Sequence, residues 1–226
     1  MNDFNFFSKK IKLLGDSITH GVGGSGFEQN GEVIVNEFSR NPYGFCWAKL
    51  FKEYMEKNYN AKVVNNGCTG TTIEFIIEHF EVLVDDDDDL ILCTIGTNNR
   101  HQNKDIETKP DRKDFAEKFY NNIKKLNDLF ALNNKTVIFI ANIPASTQNE
   151  QDKDTLWRIL HMNDINDIYK YASEKAGFAF ISMYDLMTSY IQERNIEIDQ
   201  LLCDGLHPND EGYAVMFELL RQALGV

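Results

Sequence analysis

The stretch from residue 10 to residue 20, Lys-Ile-Lys-Leu-Leu-Gly-Asp-Ser-Ile-Thr-His, decides the fold class. Its apolar run Ile11–Leu14 has the length of a short strand and ends at Gly15, where a chain can turn sharply. Ser17 follows two residues later. We therefore expect a buried strand that delivers a serine hydroxyl at its carboxyl end.

Further apolar runs of similar length recur along the chain and alternate with longer helical patterns. Continuous hydrophobicity is typical of strands that are covered on both faces. The runs are Lys62–Val64, Leu90–Ile95, Val137–Ala141 and Phe178–Ile181. The helical patterns lie near 43–59, 71–83, 112–132, 156–176, 184–194 and 209–223. This alternation predicts an α/β fold, a three-layer α/β/α sandwich with a five-stranded parallel sheet of flavodoxin-like type, in one domain over residues 1–226.

Composition argues against several kinds of partner. The net charge is −12, from 23 Lys and Arg against 35 Asp and Glu, and no basic cluster stands out. Nucleic acid is not an expected partner, because phosphate binding needs a basic surface.

The four cysteines have no C-x-x-C spacing, and no apolar segment is long enough to span a membrane. With no signal peptide recognisable, we expect a cytoplasmic protein, although a removed leader would leave no trace.

Four short blocks carry groups that acyl transfer requires. They are Gly15–Thr19, Asn66-Gly67, Gly96–Asn98 and Asp204–His207. An acyl-enzyme mechanism needs a nucleophile, a base, a group that orients the base, and donors for an oxyanion. The blocks offer a serine, a histidine three residues after an aspartate, a glycine and an asparagine. Each block alone is equally typical of a turn or a helix cap.

Together, these blocks resemble those of the SGNH or GDSL hydrolases. GDSIT corresponds to the first block of that family, NNGCTG to the second, IGTNN to the third and DGLHPN to the last. The resemblance extends from about residue 10 to about residue 222. It implies the SGNH hydrolase fold, a Ser17–His207–Asp204 triad, and an oxyanion hole formed by Ser17, Gly67 and Asn98.

One position departs from the common family pattern. Many members have Gly-Thr-Asn-Asp in the third block, whereas Asn99 stands here in place of that aspartate. No role is assigned to Asn99 from sequence. His20, Arg100 and Asn142 lie near the blocks and are candidates for substrate binding.

No metal or cofactor is expected. The acidic run Asp85–Asp89 is more typical of a solvated turn than of a cation site, and the spacing of His20, His79, His101 and His161 is not that of zinc ligands. The glycine-rich stretch 21–26 lacks the Lys-Ser/Thr ending of a phosphate-binding loop.

Two long segments are expected beside the active edge, Gly21–Pro42 and Asn142–Thr155. Both are rich in polar residues and glycine, although Phe27, Val33, Ile34, Val35 and Phe38 could form an apolar lid. Polar borders favour hydroxyl-bearing substrates with short acyl groups.

The sequence therefore predicts a serine esterase that removes short acyl groups, acetyl above all. A carbohydrate carrier for that acyl group is what the resemblance implies. Three alternatives stay open: a carbohydrate O-acyltransferase with the same triad, a lipase or thioesterase, and a non-catalytic sugar-binding module.

Overall fold

The computed structural model describes residues 4–27 and 44–226, and its centre is a five-stranded parallel sheet. The strands are β1 (Lys10–Gly15), β2 (Lys62–Gly67), β3 (Leu90–Thr94), β5 (Val137–Ala141) and β7 (Ala179–Ser182). Their order across the sheet is β2-β1-β3-β5-β7, and every neighbouring pair is parallel. The order reverses between β1 and β3, which is where doubly wound sheets bind ligands.

Helices cover both faces of this sheet. They are α1 (Ser17–His20), α2 (Trp47–Tyr59), α3 (Ile73–Glu78), α4 (Phe80–Leu83), α5 (Arg112–Leu132), α6 (Thr147–Glu150), α7 (Met162–Lys175), α8 (Met183–Arg194) and α9 (Asp210–Leu224). Alternate strand residues point to opposite layers. Leu90 and Leu92 pack with α2, α8 and α9, whereas Ile91 and Cys93 pack with α3, α4, α5 and α7. The expected three-layer α/β/α fold is confirmed.

A small two-stranded antiparallel sheet was not expected from the sequence. The interval 156–176 reads as one helix, but Leu156–Arg158 forms β6, which pairs antiparallel with β4 (His101–Asn103). Helix α7 begins only at Met162, where the Asp164 carboxylate accepts a hydrogen bond from the N–H of His161 at 2.7 Å. The pairing with β4 is non-local, so helical periodicity could not reveal it.

Two other intervals also differ in detail from the expected elements. The pattern near 71–83 gives two short helices that meet at His79. The long segment Gly21–Pro42 is described only as far as residue 27, so the possible lid residues Val33, Ile34, Val35 and Phe38 lie outside the described residues. Within residues 4–27 and 44–226, no helix has the length and hydropathy needed to cross a bilayer.

Candidate active site

Ser17 lies at the first position of α1, directly after β1. The Asp16 side chain caps this helix by accepting a hydrogen bond from the N–H of Ile18 at 3.0 Å. A side chain on Gly15 would collide with the chain of β3, because its Cβ would lie 2.7 Å from the Thr94 carbonyl oxygen. The sharp turn from strand to helix therefore needs a glycine there, and it leaves Ser17 only 5% exposed.

Asp204 and His207 lie in the turn that precedes α9. One oxygen of Asp204 accepts from the backbone N–H groups of Leu206, at 3.0 Å, and His207, at 2.8 Å. Gly205 has a φ of +82°, a value that favours glycine, and its carbonyl accepts a hydrogen bond from Ser146 N at 2.8 Å. The turn is thus fixed at both its carboxylate and its backbone.

The imidazole of His207 bridges the carboxylate and the serine. Its Nδ1 lies 2.7 Å from the second oxygen of Asp204, and its Nε2 lies 2.8 Å from Ser17 Oγ. A carboxylate can only accept, so Nδ1 carries the proton in this contact and Nε2 is left to accept from the hydroxyl. This is the geometry that a serine nucleophile and its base require.

The carboxylate of Asp204 is held in its charged form. Partial burial opposes ionisation, but the N–H groups of His207 and Leu206 and the imidazole together lower the pKa of Asp204 below its usual range. A charged Asp204 keeps the proton on Nδ1 of the imidazole, which leaves Nε2 as the acceptor for the Ser17 proton.

Asn98 lies after β3, in a short 3-10 helix over Thr97–Arg100. Its side-chain amide donates one hydrogen bond to the Thr71 carbonyl at 2.9 Å. A primary amide has a second N–H group, and no acceptor among the described residues takes it. The bond to Thr71 fixes the amide in the way that a preorganised oxyanion donor requires.

The geometry argues against the expected role of Gly67 as an oxyanion donor. Its N–H donates to the side-chain oxygen of Asn65 at 2.8 Å, so it is already engaged. A Cβ on Gly67 would lie 2.8 Å from the backbone nitrogen of His20 and from the carbonyl carbon of Thr19. This glycine is needed for the close approach of β2 to α1.

Gly70, which the sequence reasoning missed, is better placed than Gly67 to offer a backbone N–H to an oxyanion. It has a φ of +83° in the turn in which Thr71 N donates to the Cys68 carbonyl, and an added Cβ would meet nothing within 4 Å. This turn also contacts Asn98, through Thr71, and His20, through Thr69. Its signal in the sequence is the second glycine of Asn-Gly-Cys-Thr-Gly, since a turn of this kind needs a residue that tolerates positive φ.

His20 and Asn142 lie close to the serine but are held by protein groups. The Nδ1 of His20 accepts from the Thr69 N–H and contacts the Thr69 hydroxyl at 3.0 Å. The Asn142 amide donates to the Asp16 carboxylate at 3.0 Å and to the hydroxyl of Thr97. Both side chains are buried, so each supports the turn that carries Ser17.

Arg100 has no exposed surface, and this placement argues against substrate contact. Its guanidinium donates to Glu150 at 2.9 Å and to the side-chain oxygen of Asn149. Burial lowers the pKa of Arg100 to about 10, while Glu150 acts in the opposite direction. Arg100 thus joins the 3-10 helix after β3 to α6, inside the segment Asn142–Thr155.

The segment Asn142–Thr155 lies beside the turn that carries Asp204 and His207. Ser146 donates to Gly205 through its backbone, and a Cβ on Gly205 would lie 2.5 Å from the Ser146 hydroxyl. Asn149 accepts from Arg158 Nε at 3.0 Å through its carbonyl oxygen. Much of the polarity of this segment therefore serves internal contacts.

The acidic run Asp85–Asp89 forms a turn before β3 and is matched by lysines. The carboxylates of Asp85, Asp87 and Asp88 have oxygens within 4.8 Å of one another, as a cation site would. However, Lys10 lies 2.8 Å from Asp85, and Lys12 lies 3.0 Å from the same carboxylate. The two ammonium groups supply the positive charge that a metal would otherwise bring.

A three-layer α/β/α fold that holds a serine, a histidine and a carboxylate in a hydrogen-bonded series has the groups that acyl transfer through a serine requires. The sequence matches the GDSL-like lipase/acylhydrolase family over residues 13–215. The chain belongs to this family and is a carboxylic ester hydrolase.

Solved structures resemble the whole chain at low sequence identity. An α/β hydrolase enzyme from the metagenome of Lake Arreo, Spain, is 21% identical, with a TM-score of 0.71 and 98% of each chain covered. An acetylxylan esterase from Geobacillus stearothermophilus is 18% identical, with a TM-score of 0.71, and the match covers 99% of this chain and 97% of that enzyme. No curated protein matches the sequence. At these identities the likeness shows the fold alone.

Proposed function

We propose that this esterase hydrolyses short-chain carboxylic esters, acetyl esters above all, through an acyl-enzyme on Ser17. His207 acts as the base and Asp204 orients it. The observation that carries the proposal is the pair of contacts on one imidazole, 2.8 Å to Ser17 Oγ and 2.7 Å to the Asp204 carboxylate.

In the proposed first step, Ser17 Oγ attacks the ester carbonyl while Nε2 of His207 takes the hydroxyl proton. The carbonyl oxygen becomes an oxyanion, and His207 then gives its proton to the departing alcohol. A water molecule, deprotonated by the same imidazole, releases the acid and restores the serine. The proposed oxyanion donors are the N–H of Ser17, the amide of Asn98 and the N–H of Gly70.

We also propose that the acetyl groups are carried by a carbohydrate, and this preference has separate support. A solved structure that resembles this chain over its whole length is that of an acetylxylan esterase, and the same enzyme in variant form is described as an acetyl-xylooligosaccharide esterase. A site for long acyl chains would need a contiguous apolar groove, since each buried methylene contributes about 0.8 kcal/mol. In the segment 142–155 beside the triad, the exposed residues, 147–148 and 151–155, are all polar.

A chain-length series tests the acyl preference. We expect kcat/KM for p-nitrophenyl esters to be highest for acetate or propionate and to fall towards octanoate. Acetylated xylo-oligosaccharides should also release acetate, and adding an unacetylated sugar should not divert the acyl group. A maximum at octanoate or decanoate would favour a lipase or thioesterase, and transfer to the added sugar would favour an acyltransferase.

A further inference from the structure

The side chain of Asn99 joins the two segments that carry proposed oxyanion donors. Its oxygen accepts a hydrogen bond from the N–H of Ile73 at 3.0 Å, and its nitrogen donates to Glu74 at 2.5 Å. The neighbouring Asn98 amide bonds to Thr71. Two consecutive amides therefore fix the 3-10 helix after β3 against the start of α3, three residues beyond Gly70.

The carboxylate of Glu74 lies between two amide donors. One oxygen accepts from Asn99, and the other accepts from Asn122 on α5 at 2.6 Å. The partners settle the orientation of the Asn99 amide, because the N–H of Ile73 can only donate and a charged Glu74 can only accept. Residue 99 must therefore present an acceptor to one neighbour and a donor to the other.

An aspartate at position 99 would not satisfy this pattern. It would accept from Ile73, but its second oxygen would face the Glu74 carboxylate at hydrogen-bonding distance. Two carboxylates so close cannot both be charged without strong repulsion. Asparagine at this position is chemically matched to Glu74.

We propose that Asn99 is a positioning residue for the oxyanion hole, and that Glu74 makes an amide at this position necessary. The inference rests on the proposed function, since it assigns an effect on the donors Asn98 and Gly70. A shift between their two segments changes the distance from the donors to the oxyanion. Such donors act on charge that develops in the transition state, so the loss falls on kcat and leaves KM nearly unchanged.

The test exchanges the amide and the carboxylate between positions 99 and 74. Asn99→Asp should lower kcat on p-nitrophenyl acetate on the order of 10-fold or more, because small misplacements of catalytic groups are costly. Adding Glu74→Gln should restore most of that loss. In the double variant the amide nitrogen introduced at position 74 donates to the carboxylate introduced at position 99, and the amide oxygen still accepts from Asn122.

Asn58→Asp is the matched control, because it makes the same chemical change on the exposed surface of α2, where the Asn58 side chain donates to the Tyr54 carbonyl. It should leave kcat unchanged. If Asn99→Asp alone does not fold, the double variant is compared with Glu74→Gln alone, and its kcat should be higher. An Asn99→Asp variant with wild-type kcat, a loss that appears in KM alone, or a double variant no better than the single ones would overturn the inference.

Failure of the proposed function has a different signature. A wild-type enzyme that does not turn over the ester, or does not react with a fluorophosphonate at Ser17, would contradict the proposed mechanism itself. Normal wild-type turnover with no effect of Asn99→Asp would overturn the positioning role alone.

Discussion

The two ends of strands β1 and β3 are both polar, but their polar groups are arranged differently. At the amino ends, lysines and aspartates neutralise one another: Lys10 lies 2.8 Å from Asp85 and 2.5 Å from Asp87, and Lys9 lies 3.0 Å from Asp89. At the carboxyl ends, Ser17 contacts His207 and Asn98 donates to Thr71, and these are the residues that we propose act on the ester. Charge density alone therefore does not indicate the functional end.

The pKa values of the aspartates also differ between the amino ends and the carboxyl ends of these strands. Hydrogen bonds from Lys10, followed by those from Lys12, lower the pKa of Asp85 to about 2, so this carboxylate remains charged and paired. Asp16, below the serine, is completely buried, and that burial raises the pKa of its carboxyl group. The buried Asp16 is instead satisfied by neutral donors, Ile18 and Asn142, which hold the turn without adding charge to the site.

Among variants that keep Ser17, replacing His207 should have the largest effect on turnover. In His207→Ala, nothing accepts the Ser17 proton, so kcat should fall by about 10³-fold or more, as is typical when one member of a triad is removed. The measurement is steady-state hydrolysis of p-nitrophenyl acetate. His161→Ala, a half-exposed histidine outside the site, is the control and should stay near wild type. A small loss in His207→Ala would contradict the assignment of the base.

Replacing Asn98 should have the next largest effect. Asn98→Ala removes the amide donor and should lower kcat by about 10²–10³-fold with little change in KM. The same change at Asn58 removes an amide on the exposed surface and should have no effect on kcat. If Asn98→Ala raised KM and left kcat intact, the residue would be a substrate-binding group and not an oxyanion donor.

Replacing Lys12 should change stability and leave turnover alone. Its buried ammonium lies 3.0 Å from Asp85 and 3.5 Å from Asp88, whose side chain has no exposed surface. Lys12→Met leaves that carboxylate short of a partner and should lower the free energy of unfolding by about 1–3 kcal/mol. Urea unfolding measures the change, with Lys62→Met on the exposed side of β2 as the control. A lower kcat per folded molecule would mean that the two ends are coupled.

Sequence reasoning predicted correctly the strands and helices that a local pattern of hydrophobic residues specifies. Apolar runs located all five strands of the sheet, and the interval 112–132 coincides with α5. The serine, aspartate and histidine could be proposed from sequence because their blocks together resemble the family pattern, and each block lies at the end of a strand or before a helix. The structure then brings together side chains that are 190 positions apart, Ser17 and His207.

The features that sequence reasoning missed depend on contacts between distant segments. Strand β6 forms because Leu156–Arg158 pairs with β4, a strand far earlier in the chain. The sequence reasoning assigned the oxyanion donor to Gly67, and only the structure reveals that the Asn65 side chain already engages the N–H of that residue. Arg100 lies beside the third block in sequence, but Glu150 and Asn149 hold its guanidinium in the interior of the protein.

The most direct test of the central claim is the covalent labelling of Ser17. A fluorophosphonate should add one adduct to the wild-type protein, and peptide mass spectrometry should locate that adduct on Ser17. Ser17→Ala should take up no label and have no measurable esterase activity, while keeping the wild-type melting curve. Ser189→Ala, a serine on the exposed surface of α8, should label like the wild type. Equal labelling of wild type and Ser17→Ala, or an adduct on another residue, would contradict the account.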